Sequence, residues 1–189
     1  HPGETVLRSA DIVVIAKTNA AETANIQHAA DAVRRANPRA TIVRGASVVR
    51  LDKPELVAGK RAIVVDDGPT LTHGGMPYGA GYVAAIDAHA QATIDPRPFA
   101  VGAIASAFRD FPHLRNVVPA LGYSPEQIAD LAATLNAADA DAIVSGTPAD
   151  LSRLATFDKP IARAFYEYAD AGTPTIGTLV RRFLDERGI

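Results

Sequence analysis

Arg61-Ala-Ile-Val-Val-Asp-Asp-Gly-Pro-Thr-Leu-Thr-His-Gly-Gly-Met-Pro-Tyr-Gly-Ala-Gly81 runs from an apolar stretch through paired carboxylates into a glycine-rich loop. Arg61–Val65 is β-branched, too short for a helix and too apolar for a strand with one wet face, so it predicts a buried strand. The turn formers Ala58-Gly59-Lys60 precede it. Behind the loop, Pro77–Gln91 is alanine-rich and predicts a helix in its later part. The same strand–loop–helix pattern recurs in both directions. Asp11-Ile-Val-Val-Ile15 predicts a strand, and Ala21–Asn37 a helix stopped by Asn37-Pro38. Further strands are expected at Thr41–Val43, Ala92–Ile94, Asn116–Pro119, Asp141–Ser145 and Ile161–Phe165. Helices are expected at Val101–Phe111, Pro125–Ala137 and Thr175–Arg187. Ser124 is placed to cap the helix from Pro125, with Gln127 completing a capping box. Apolar strands alternating with helices predict an α/β fold, a mainly parallel sheet with helices on both faces. Its one candidate boundary is Arg50–Lys60, polar and interrupted by Pro54 and Gly59.

Composition narrows the function. The 189 residues are 48% hydrophobic and 21% charged, a globular balance. A net charge of −2 supplies no basic field for nucleic acid and no cationic face for a membrane, so neither partner is expected. The absence of cysteine excludes disulfides, thiolate metal sites and a cysteine nucleophile, and agrees with a cytoplasmic location. No apolar run approaches the roughly 20 residues of a membrane span. The chain begins at His1, and a buried strand is expected almost at once, which predicts a fragment of a longer protein.

Ligands of parallel sheets collect at the carboxyl ends of the strands. Three polar or glycine-rich stretches stand there: Ala16-Lys-Thr-Asn19, Asp66–Gly81 and Ser145-Gly-Thr-Pro148. The middle one carries most chemistry. Gly68, Gly74, Gly75, Gly79 and Gly81 permit close backbone approach, so their amides could converge on an anion. Thr70, Thr72 and His73 add side-chain donors, and the following helix points its amino terminus at the same spot. Asp66 and Asp67 close the apolar strand, where a carboxylate can hold Mg²⁺. His73 reads equally as a donor fixing the turn or as a general acid/base. Familiar fingerprints are incomplete. Gly79-Ala-Gly-Tyr-Val-Ala84 fits G-x-G-x-x-A but lies too far behind its strand for a dinucleotide site, and Ala80 stands where a P-loop needs Lys. No G-x-S-x-G elbow or H-E-x-x-H pair occurs.

Val64-Val-Asp-Asp-Gly-Pro-Thr-Leu-Thr-His-Gly-Gly-Met-Pro-Tyr-Gly-Ala-Gly-Tyr-Val-Ala-Ala85 resembles the signature of the cyclic 2,3-diphosphoglycerate synthetase family and its predicted GTPase relatives. The resemblance continues through Ile94–Gly102, Pro119–Pro125, Gly146–Leu151 and Asp158–Pro160. It implies a P-loop NTPase-like, Rossmann-like three-layer fold. Residues 1–57 would be the carboxyl-terminal part of a P-loop domain whose upstream part is missing, and 58–189 an α/β substrate-binding region. Val13–Asn19 is similar to the N-K-x-D base-recognition segment, and Gly45-Ala-Ser47 to the later base-contacting loop. The resemblance therefore assigns the nucleotide base to Lys17, Asn19, Ala46 and Ser47. Asn19 replaces the guanine-reading Asp, so ATP is as well suited as GTP.

The activity implied is ATP-driven closure of an intramolecular phosphoanhydride on a phosphorylated small molecule, with Mg²⁺ and a homodimeric enzyme. Thr70, Thr72, Gly74, Gly75, Gly79 and Gly81 would hold the substrate's phosphates, with Arg97 as a bidentate clamp. Asp66 and Asp67 would position the metal, and they and His73 form the catalytic set. A regulatory or metallochaperone-like GTPase and a non-catalytic anion-binding module remain as alternatives.

Overall fold

The computed structural model describes residues 2–188. In chain order its elements are α1 (Pro2–Ser9), β1 (Ile12–Ile15), α2 (Thr23–Ala36), β2 (Thr41–Leu51), β3 (Arg61–Asp67), α3 (Gly68–Thr72), α4 (Ala80–Asp87), β4 (Ala92–Thr93), α5 (Gly102–Asp110), β5 (Val118–Ala120), α6 (Pro125–Ala137), β6 (Ala142–Gly146), β7 (Ile161–Asp170) and α7 (Ile176–Asp185). The chain forms two compact units. The larger is Val49–Tyr166; the smaller joins the residues up to Val48 to those from Glu167 onward. The long strands β2 and β7 each pass from one unit into the other. No helix among the described residues is long and apolar enough to cross a membrane.

The larger unit is built around β3. It pairs in parallel with β6 along Ala62↔Ala142 to Asp66↔Gly146. Its other edge takes β4 at Arg61–Ala62 and β5 at Val65–Asp67, also in parallel. Alternate residues of β3 serve opposite faces. Ile63 and Val65 join Ile143, Ile104, Leu131 and Leu135 in one core cluster, on the side of α5 and α6. Ala62 and Val64 join Val144, Leu71 and Ala85 in the other, on the side of α3 and α4. A strand buried on both faces needs apolar residues at every position, which is what Arg61–Val65 displays after its first residue.

In the smaller unit β1 lies parallel to β2, from Ile12↔Thr41 to Ile15↔Arg44. Asn37 is buried at the end of α2. Its amide donates to Leu7 O and Ala10 O, tying down the chain that leaves α1.

The expected α/β architecture is present, with departures. β2 and β7 are longer than the apolar runs Thr41–Val43 and Ile161–Phe165 suggest. Asp52 N donates to Arg163 O, and Ala171 N to Arg44 O, the opposed register of an antiparallel pair, within a sheet that is otherwise parallel and so mainly parallel as expected. α3 falls inside the stretch read as a loop: Asp67 caps it and Pro69 opens its first turn.

The helix α6 has the limits the sequence gives it. Ser124 Oγ accepts from Gln127 N, and Gln127 Oε1 accepts from Ser124 N, both at 3.3 Å. Ser124→Ala should therefore cost about 1 kcal/mol, read as a lower urea midpoint with an unchanged slope.

Candidate functional site

The carboxyl edge of β3 is organised by one carboxylate. Asp66 is 0% exposed. Its Oδ1 accepts from Gly81 N at 2.6 Å, and its Oδ2 from Gly79 N at 2.8 Å and Tyr82 N at 3.3 Å. Gly79 is the cap of α4, so amides that a helix start leaves without intrahelical partners are aimed at Asp66. Burial pushes the Asp66 carboxyl above its ordinary range. The amides of Gly79, Gly81 and Tyr82 oppose that rise, and the charge of Asp67 adds to it.

The glycines here serve close approach. A Cβ on Gly79 would stand 2.8 Å from Asp66 Cγ, and one on Gly81 would stand 2.8 Å from Asp66 Oδ1. A Cβ on Gly146 would overlap the same oxygen. The anion on which the Gly79 and Gly81 amides converge is thus a side chain of the protein itself.

The other loop residues lie further out. Asp67 accepts from Thr70 Oγ1 at 3.1 Å and Thr70 N at 3.4 Å. Thr72 Oγ1 donates to Gly68 O at 3.0 Å and lies 2.9 Å from His73 Nδ1. Thr70, His73, Gly74 and Gly75 are exposed. Gly75 has φ 64°, a left-handed turn with open space around it. Arg97 is engaged by Asp95 at 2.9 Å, by Leu114 O, and by the Phe108 ring 5.2 Å from its guanidinium carbon. Among the described residues no three His, Asp or Glu side chains gather as a metal-binding group.

Two of the three strand-end stretches meet in the larger unit, because Asp66 and Gly146 are register partners. Beside them Tyr123 Oη lies 3.2 Å from Thr147 Oγ1. Ser145 is 1% exposed and its hydroxyl has no hydrogen-bond partner. Tyr123 was not among the expected site residues; its place in Gly122-Tyr-Ser-Pro125, behind β5, was the available signal.

The base-recognition candidates all belong to the smaller unit. Lys17 adopts φ 58°. Asn19 Nδ2 donates to Ser47 O at 3.1 Å, and Asn19 Oδ1 accepts from Ser47 N at 2.9 Å. Gly45, Ala46 and Ser47 lie within strand β2 rather than in a loop. Asn19 and Ser47, on the two segments that the resemblance assigns to the base, are thus fastened to each other.

No family model matches the chain. Over 176 residues it is 49% identical to arginine synthetase ArcE of Thermococcus kodakarensis. The alignment takes in 93% of the chain and 39% of that protein, so the chain spans about two fifths of its relative's length. Along nearly all of its residues, then, this chain is similar to part of a protein named as a synthetase.

Proposed function

We propose that this chain is the acceptor-ordering part of a nucleotide-dependent ligase whose product is arginine. The observation that carries the reading is the 49% identity to an arginine synthetase across 93% of the chain. The geometry of the loop supports it over a phosphate-holding role. The Gly79 and Gly81 amides, the donors best placed for a substrate's phosphates, are spent on Asp66.

In this reading Asp66 is a positioning residue that fixes Gly79–Tyr82 against β3. Asp67, the less buried of the two carboxylates, suits Mg²⁺, which takes one or two carboxylates together with water and nucleotide phosphate. The ion would neutralise charge on the phosphoryl group in transfer. His73, exposed and tethered through Nδ1 to Thr72, carries a proton to or from the acceptor. Thr70, Gly74 and Gly75 line the outer side of the loop, where the Gly74 amide itself donates to Pro69 O at 3.0 Å. Lys17, Asn19, Ala46 and Ser47 hold the base of ATP or GTP. Because both ends of the Asn19 amide are occupied by Ser47, no strong preference for guanine is expected.

A second reading, ring closure on 2,3-diphosphoglycerate, is favoured by the resemblance of Val64–Ala85 to that family's signature. One chimera separates the two. This chain replaces the matching segment of the Thermococcus protein, with circular dichroism as a folding control. The chimera is given ATP, Mg²⁺ and ammonium, with either citrulline (one nitrogen short of arginine) or 2,3-diphosphoglycerate. Arginine formation is the expected result. A folded chimera that instead makes the cyclic phosphoanhydride selects the second reading. One that makes neither product, and hydrolyses GTP in a parallel assay, favours a regulatory GTPase.

A further inference from the structure

We propose that a cavity on the β7 flank of the larger unit binds the α-carboxylate and α-ammonium groups of a free amino acid. The inference rests on the ligase reading for the identity of that amino acid, and on the cavity for the site itself.

The floor of the cavity is fixed by strand register. Ile143↔Ile161 and Ser145↔Arg163 place Ile161 and Arg163 on one face of β7, two residues apart. The end of β2 runs alongside: Asp52 N donates to Arg163 O at 3.0 Å, and Arg163 N donates to Asp52 Oδ1 at 2.7 Å. The segment that leaves β6 supplies the wall, from Asp150 through Ala155 to Phe157. It is a cleft open to solvent with a volume of ≈ 570 Å³, within the range of about 300–1,000 Å³ typical of small-molecule sites.

Its chemistry selects the ligand class. Lys53, Lys159 and Arg163 bring positive charge, and Asp52 and Asp150 bring negative charge. A phosphorylated compound would meet the carboxylates, and a metal ion would meet the cations. A zwitterion finds a partner for each end. Lys159 is already held by Asn136 O at 2.9 Å and Asp158 at 2.8 Å, whereas Arg163, whose Nη2 donates to Pro148 O at 3.4 Å, keeps further donors, and these together with Lys53 suit a carboxylate. Asp150 accepts from Ser152 Oγ at 2.7 Å, and that bond, followed by the charge of Arg163, holds its carboxyl below the ordinary range. It is therefore ionised at neutral pH, as a partner for ammonium must be. Arg163 Nη1 stands 3.9 Å from Asp150 Oδ2, an ion pair too long for a hydrogen bond, so a ligand that turns either group towards itself breaks no hydrogen bond between the two. Ala155, Phe157 and Ile161 offer an apolar surface for the aliphatic stem of a side chain such as arginine's.

The test is calorimetric titration of the 189-residue chain with L-arginine and with agmatine, which is arginine without its carboxylate, in the absence of nucleotide. Methyl NMR shifts at Ala155 and Ile161 report the location. L-Arginine should bind saturably and shift both methyls. Agmatine, and L-arginine with Lys53→Ala or Asp150→Asn, should bind weaker by roughly tenfold or more, the loss of one charge-assisted hydrogen bond. Lys53 and Asp150 are solvent-accessible, so these variants should fold, with circular dichroism as the check. No saturable binding by the folded chain overturns the proposal, and so do folded variants that bind like wild type. The ligase reading fails separately. Binding that behaves as expected, beside a chimera that makes no arginine, leaves the amino-acid site standing and removes the reaction.

Discussion

Asp66→Ala should remove about 3 kcal/mol of stability, because three backbone donors lose their shared acceptor at once. The N–H groups of Gly79, Gly81 and Tyr82 would keep their burial and lose their acceptor. Each charge-assisted bond of this kind contributes about 1.5–3 kcal/mol, and water entering the vacated space would recover part of that. Asp66→Asn should cost less, since an amide oxygen still accepts while its NH₂ faces a backbone donor. Urea unfolding followed by circular dichroism measures both, and a loss below about 1 kcal/mol for the alanine variant would mean that the loop is held by other contacts.

The titration of Asp66 adds a pH signature. Burial raises its carboxyl above the ordinary range despite the amide bonds, so the folded protein holds this proton more tightly than the unfolded chain does. The stability contributed by protonation is complete at pH below the ordinary carboxylate range and declines as pH rises through the raised value. An asparagine does not titrate. The difference in stability between wild type and Asp66→Asn should therefore shrink as pH climbs through that window. A difference that grows would show that the three amides outweigh desolvation.

Asp66 also shows where sequence reasoning stops. The elements around it were legible because their signals are local. β3 announces itself through apolar residues on both faces, and α6 through Ser124, Pro125 and Gln127. The glycine amides read from the sequence as donors for an anion brought by a substrate. That the anion is Asp66, in the same motif, depends on how closely α4 packs onto β3 and β6, and spacing along the chain does not encode that distance. β2 and β7 were shortened for a related reason. Gly45-Ala-Ser47 resembles a base-contacting loop, yet Gly45 lies in a strand where a Cβ would collide with the ring of Tyr168, a neighbour supplied by β7. Asp52 and Arg163 are 111 residues apart and meet only through strand pairing, so no motif could have joined them into a cavity.

The second large effect is expected at Gly146. This residue ends β6 and is the register partner of Asp66. A Cβ here would overlap Asp66 Oδ1 and the backbone nitrogen of Gly81, and would stand 2.8 Å from Gly81 Cα. The obstacles are a carboxylate pinned by three amides and the first turn of a helix, neither of which is the free end of a flexible side chain. Gly146→Ala should therefore cost about 3 kcal/mol, the upper part of the range for overpacking. Gly177→Ala, in α7, has nothing within 4 Å of the new Cβ and should be neutral or stabilising by up to about 1 kcal/mol. The contrast excludes a generic effect of replacing glycine. Combining Gly146→Ala with Asp66→Ala gives the sharper test. If the alanine is costly chiefly because it strikes the carboxylate, its cost should fall by at least about 1 kcal/mol once the carboxylate is gone. An unchanged cost would place the clash on the Gly81 backbone alone. β6 and α4 would then be in contact for packing reasons, and the carboxylate would occupy a space they had already set.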